Sequence, residues 1–154
     1  MTETIAFKGH LLSAYQFQAH LRAWGLENER FFPWRRTQDP FHILIAELML
    51  RRTQARQVVP VYQQFVTQYP DVQMQARAPP EEVARLLFPL GLAWRVPAFQ
   101  QVAQAIVMEH DGQVPRHYET LLTLPGVGDY VASAVCSFAF RQPFPIIDTN
   151  TVVW

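Results

Sequence analysis

The sequence has little of what covalent and metal-built scaffolds are made from. Its 154 residues include one cysteine, Cys136, which excludes an internal disulfide and any cysteine-built metal site within the chain. Lysine is nearly absent, with Lys8 alone against twelve arginines. No run of about 18 apolar residues suggests a membrane span. The opening residues, "MTETIAFKGHLLSAY", lack the basic-then-apolar build of a secretory signal, so a cytoplasmic location is expected. Sustained strand-like alternation is also missing; "FPIID" is the one candidate and is too short. No repeat of fixed period and no low-complexity tract occurs. The net charge is zero and the pI about 7.0, which gives no bulk attraction to nucleic acid.

What is present is enough for one compact domain. Apolar residues make up 49% and charged residues 17%, the balance of a folding chain. Helical spacing runs through "HLLSAYQFQAHLRAW", residues 10–24, with Leu11, Leu12, Tyr15, Leu21 and Trp24 as apolar markers. "PFHILIAELMLRR" follows Asp39, a plausible N-cap, with Pro40 at the first helical position. It is apolar on nearly every side and reads as a buried central helix. "TQARQVVPVYQQFVTQY" reads as a helix bent at Pro60. "PPEEVARLLFPLG", "AWRVPAFQQVAQAIVMEHDG", "RHYETLLTL" and "DYVASAVCSFAF" complete an all-α domain of about seven to eight helices with short loops. The last residues, "DTNTVVW", begin a helix-like run that ends about one turn in. This reads as a truncated product.

Charge and glycine are concentrated where the bulk numbers conceal them. Between Arg35 and Arg56, five arginines face only Asp39 and Glu47. Two of the six glycines, Gly126 and Gly128, stand one residue apart in "LPGVGDY" between two helical stretches. Such a hairpin is either a plain tight turn or a cradle whose N–H groups hold an anion without reading sequence. Glu47 sits in the apolar run "ILIAELML". It is either ion-paired with Arg51 one turn on or buried with its pKa raised.

Four blocks in order, "FPWRRTQDPFHILIAELMLRRTQ", "GLAWRVPAFQQVAQAI", "LPGVGDYVASAV" and "FPIIDTN", resemble the helix-hairpin-helix DNA glycosylases of the endonuclease III superfamily. The resemblance implies a six-helix barrel-like bundle with an incomplete second, iron–sulfur subdomain. It implies three parts: residues 1–30 as an N-terminal helix of that second subdomain, 31–141 as the helical domain with the hairpin, and 142–154 as a catalytic aspartate loop and the start of a helix. Asp148 takes the place of the catalytic aspartate, beside its simpler reading as an N-cap. Glu47 takes the place of a base-pocket glutamate found in mismatch-acting branches. Tyr130 stands where lyase-active relatives carry a Schiff-base lysine, so the resemblance implies monofunctional base removal; its plainer reading is a core aromatic. Leu124, Gly126, Val127 and Gly128 would grip the DNA backbone. Arg51, Arg52, Thr53 and Gln54 would meet the DNA at the flipped base, or be solvated surface. Arg35 and Arg36 are phosphate contacts at best.

The paired arginines and Tyr130 resemble thymine glycosylases acting on G·T mismatches, whereas "PFPIID" and Gln54 are also close to the adenine-removing branch. Thymine or uracil opposite guanine is favoured, with adenine opposite guanine or 8-oxoguanine as the alternative. A DNA-binding module without activity is the alternative of another class. The expected partner is double-stranded DNA with a mismatched or damaged base, bound by a monomer, at the nucleoid in a bacterium. Most relatives hold a [4Fe–4S] cluster on four cysteines; this chain lacks them, so no cofactor is expected here.

Overall fold

A computed structural model describes residues 4–7, 10–91 and 93–147. The chain divides into two units, Met1–Phe31 and Phe32–Trp154.

The first unit opens with two short antiparallel strands, β1 (Thr4–Phe7) and β2 (His10–Ser13), in register Thr4 to Ser13 and Phe7 to His10. Helix α1 (Ala14–Glu27) follows. The helix expected from His10 therefore starts four residues later, because Ser13 stops the strand and caps the helix. Its hydroxyl accepts from Gln16 N, and Gln16 Oε1 accepts from Ser13 N at 3.0 Å, a reciprocal capping box. No residue of α1 is buried, and Tyr15, Trp24 and Leu26 are exposed. The side chains of Leu11 and Leu12 lie outside what is described.

The second unit is helical: α2 (Pro40–Leu50), α3 (Ala55–Gln68), α4 (Val72–Ala76), α5 (Pro80–Leu87), α6 (Val96–Glu109), α7 (Tyr118–Thr123) and α8 (Asp129–Phe138). Helix α2 is the central element, with Phe41 and every residue from Ile43 to Met49 buried. Asp39 caps it by accepting from Phe41 N at 2.8 Å and His42 N at 3.0 Å, and Pro40 needs no N–H at the first helical position. Helix α3 runs through Pro60 as one element. Packing of α2 against both α3 and α8 forms the core. Buried Ala132, Ser133, Ala134 and Cys136 on α8 keep that side thin. Two buried amides tie the outer helices: Gln75 Nε2 donates to Phe99 O at 2.6 Å and Gln100 Nε2 to Ala78 O at 2.7 Å. Residues 141–147, which include most of the strand candidate "FPIID", are irregular. Among the described residues no helix is long and apolar enough to cross a membrane.

Candidate functional site

The turn between α7 and α8 uses its two glycines differently. Val127 N donates to Leu124 O at 3.1 Å, with Pro125 and Gly126 at the two central positions, and Gly126 takes φ +77°. Proline then glycine with positive φ is the chemistry of a type II turn. A methyl on Gly126 would lie 3.3 Å from the Ala98 Cβ as well as being strained. Gly128 is extended, at φ −113° and ψ −178°, and a methyl there would meet nothing within 4 Å. The fold thus requires a glycine at 126 and not at 128.

Gly128 is also the N-cap of α8 and offers no side-chain cap. The helix's first intrahelical bond runs from Ala132 N to Gly128 O, 2.9 Å, so the N–H groups ahead of it lack helical acceptors. Leu124 and Val127 are buried. Their side chains hold the hairpin to the core, and what they present outward is backbone. The Asp129 carboxylate, in the first turn of α8, is held by the Tyr118 hydroxyl, which donates to Oδ1 at 2.7 Å.

Glu47 of α2 and the helix's C-cap, Arg51, one turn on, reach α8 and the hairpin before it. Glu47 is 1% exposed and accepts a hydrogen bond from the side chain of Tyr130. Its Oε2 has no partner among the described residues. Burial pushes the Glu47 pKa up, against the weaker lowering effects of the Arg35 charge and the Tyr130 hydrogen bond. A turn later, Arg51 Nη1 donates to Gly126 O at 3.0 Å. The expected alternative, an ion pair of Glu47 with Arg51, is therefore not what the structure has. Arg51 turns to the hairpin, and the nearby cation is Arg35, from the short 3-10 turn Pro33–Arg35. The Arg35 guanidinium lies 3.8 Å from the centre of the Phe138 ring, which fixes it beside α8. Sequence reasoning left Arg35 among the phosphate contacts; the cue in hindsight is the "PWR" turn directly before the buried helix.

Arg51 and Arg52 close α2, and both are exposed. Thr53 N donates to Leu50 O at 3.2 Å, and Gln54 is the N-cap of α3 without a side-chain cap bond. These four residues form the exposed corner between α2 and α3, beside the hairpin through Arg51.

Asp148 lies outside the described residues. The segment that leads to it is pinned. Ser137 Oγ is 2.9 Å from Phe144 O and 3.2 Å from Gln142 O. Gln142 Nε2 donates to Arg116 O at 3.0 Å, and the Phe144 ring stacks on Tyr118 at 4.9 Å. Cys136 is buried in α8, and among the described residues no group of histidine, cysteine or acidic side chains could hold a metal ion. One cysteine cannot supply the four ligands of a [4Fe–4S] cluster, so that group does not fit this chain's residues.

Two helices, α7 and α8, joined by a glycine turn in a helical unit make a helix-hairpin-helix domain. Residues 45–152 match the family model described as HhH-GPD superfamily base excision DNA repair protein, and the chain belongs to that family. It is 42% identical over 125 residues to thymine-DNA glycosylase of Aeropyrum pernix, covering 80% of this chain and 56% of that protein. It is 38% identical over 131 residues to adenine DNA glycosylase of Mycolicibacterium smegmatis, covering 84% and 45%. The solved structure of a thermostable thymine-DNA glycosylase superposes with a TM-score of 0.83 at 34% identity, covering 87% of this chain and 62% of that one. The chain thus spans about half the length of the curated relatives it matches.

Proposed function

We propose that this chain carries the hairpin and base pocket of a monofunctional DNA glycosylase that removes thymine or uracil opposite guanine. The observation that carries the reading is the Glu47–Tyr130 pair against the glycine hairpin: a buried carboxyl with a raised pKa, and tyrosine where a lyase would need an amine. The α8 N-terminus grips a backbone phosphate of a duplex. The target nucleotide rotates out of the stack. Glu47, whose pKa burial raises, donates its proton to the departing base as the bond to the anomeric carbon breaks. Positive charge builds on the sugar, where the Asp148 carboxylate stabilises it; water then adds to the anomeric carbon and gives up one proton, which restores the Glu47 carboxyl. The products are free base and an intact strand with an abasic sugar. No lysine stands in the hairpin, since Lys8 is the only one in the sequence, so a Schiff-base route has no amine there.

The adenine reading is kept by the relative from Mycolicibacterium smegmatis, which matches nearly as well. Incubating the chain with duplexes holding one G·T, G·U, A·G or A·8-oxoguanine pair, then cleaving at alkali-labile sites, decides between them. Cleavage at T or U is expected. Cleavage confined to the adenine duplexes would transfer the reading to that branch, and binding without cleavage would leave only a DNA-binding module.

The two glycines give a separate check. Gly126→Ala should cost about 1–2 kcal/mol of stability through the left-handed backbone and the Ala98 contact, read as a fall of several degrees in Tm. Gly128→Ala should cost less, since its methyl meets nothing within 4 Å, but on this reading a methyl at the N-cap of α8 holds a DNA backbone off the hairpin and weakens duplex binding. Equal duplex affinity of Gly128→Ala and wild type would remove the hairpin from the DNA contact.

A further inference from the structure

The N-terminal end of α8 carries an anion of its own. Asp129 is the first residue of the helix, directly after the bare N-cap Gly128, and it is exposed. A carboxylate in a first helical turn is drawn to the partial positive charge of the helix end. A DNA phosphate is drawn to the same charge for the same reason. The two anions therefore compete for one place. An Asp129 side chain folded back over the helix end would fill the grip with the protein's own charge.

Tyr118 opposes that. It opens α7, and its hydroxyl donates to Asp129 Oδ1 at 2.7 Å, the length of a charge-assisted bond. The ring behind that hydroxyl is itself fixed. It packs against the core and stacks on Phe144, with ring centres 4.9 Å apart and planes 12° from parallel. The bond to Asp129 pushes the Tyr118 pKa up, ahead of burial and of the Asp129 and Glu119 charges. The hydroxyl therefore keeps its proton, and stays a donor, throughout the neutral range.

We propose that Tyr118 is a positioning residue for the DNA grip: it holds the Asp129 carboxylate aside from the α8 N-terminus and leaves that end to a phosphodiester group of the duplex backbone. It rests on the DNA-repair reading above. Asp129 is then a fixed counter-charge beside the phosphate, which loosens the hold on the backbone, and Tyr118 sets how far that charge reaches. Neither residue reads a base, so the effect is the same on matched and mismatched DNA.

The test uses the full chain and measures its affinity for a matched duplex at low and high salt. Asp129→Asn removes the competing charge and should bind about two- to fivefold more tightly at low salt. The gain should shrink as salt rises. The same change should lower Tm slightly, because the helix loses its first-turn acid; tighter binding with lower stability is not what a purely structural carboxylate would give. Tyr118→Phe keeps the ring for the stack on Phe144 and frees the carboxylate, so it should bind more weakly than wild type by a similar factor. Added to Asp129→Asn, Tyr118→Phe should leave affinity where Asp129→Asn alone puts it, whereas a loss caused by disturbed packing would persist there. Wild-type affinity in Tyr118→Phe, a loss that persists beside Asp129→Asn, or an Asp129→Asn chain that binds no tighter would each overturn this inference alone. No duplex binding by the wild-type chain at any salt would overturn the DNA-repair reading beneath it.

Discussion

Asp148→Asn should abolish base release while leaving duplex binding intact. Asparagine keeps the size and hydrogen-bonding shape of the side chain and removes only its charge. The proposed reaction builds positive charge on the sugar as the base departs, so a fixed anion stabilises the transition state far more than the bound ground state. The loss in single-turnover rate should be on the order of 10³-fold. Affinity for a duplex should be equal or slightly tighter, because a negative charge near the backbone has gone. The segment before Asp148 is held as far as Phe144 by Ser137, Gln142 and the Tyr118–Phe144 stack. An Asp148→Asn chain that releases base at the wild-type rate would remove the aspartate from the mechanism.

Glu47→Gln should lower activity and raise stability together. Its carboxyl is buried, and one oxygen has no partner among the described residues. Its pKa is raised, by burial first, with Arg35 and the Tyr130 hydrogen bond pulling it partly back. Below the ordinary carboxylate range, Glu47 is protonated both folded and unfolded, and its burial carries no charge penalty. As pH rises through the raised pKa, the folded state must either hold a buried anion or keep a proton that the unfolded chain releases. Stability from this group is therefore full at low pH and lost as pH climbs. Glutamine has no such loss. The variant should match wild type at acidic pH and exceed it by about 1 kcal/mol or more at neutral pH, seen as a Tm gap that opens with pH. Activity should fall by roughly 10²- to 10⁴-fold, the usual contribution of a general acid. The wild-type rate should decline as pH rises through the raised pKa, and the residual rate of the variant should not. A Glu47→Gln chain that is less stable at neutral pH, or fully active, would contradict the role given to this carboxyl.

The elements with local signals were legible in the sequence. Asp39 and Pro40 mark the start of α2, and the unbroken apolar run marks it as the buried centre; both follow from rules spanning a few residues. Gly126 was legible as a turn because Pro125 precedes it. The short pieces were not: α4 has five residues and each strand has four, too few to display a period. The site was legible in part. Glu47, Arg51, Gly126 and Tyr130 are brought together by contacts between distant segments. Arg51 is four residues from Glu47 in sequence, yet it bonds a carbonyl 75 residues away. Arg35 entered the site only through tertiary packing, which no local pattern announces. Gly128 is the reverse case. The sequence offers it as a structural glycine, and the open space around it shows that the fold does not need one there.

The most direct test of the proposed chemistry is an analysis of products from a G·U or G·T duplex treated with the wild-type chain. The account predicts free uracil or thymine, one full-length strand that breaks only after alkali, and no covalent protein–DNA adduct on borohydride treatment. A strand already nicked before alkali, or an efficient borohydride adduct, would contradict monofunctional hydrolysis. Duplexes that bind but release no base would contradict the assignment of Glu47 and Asp148 as reacting groups.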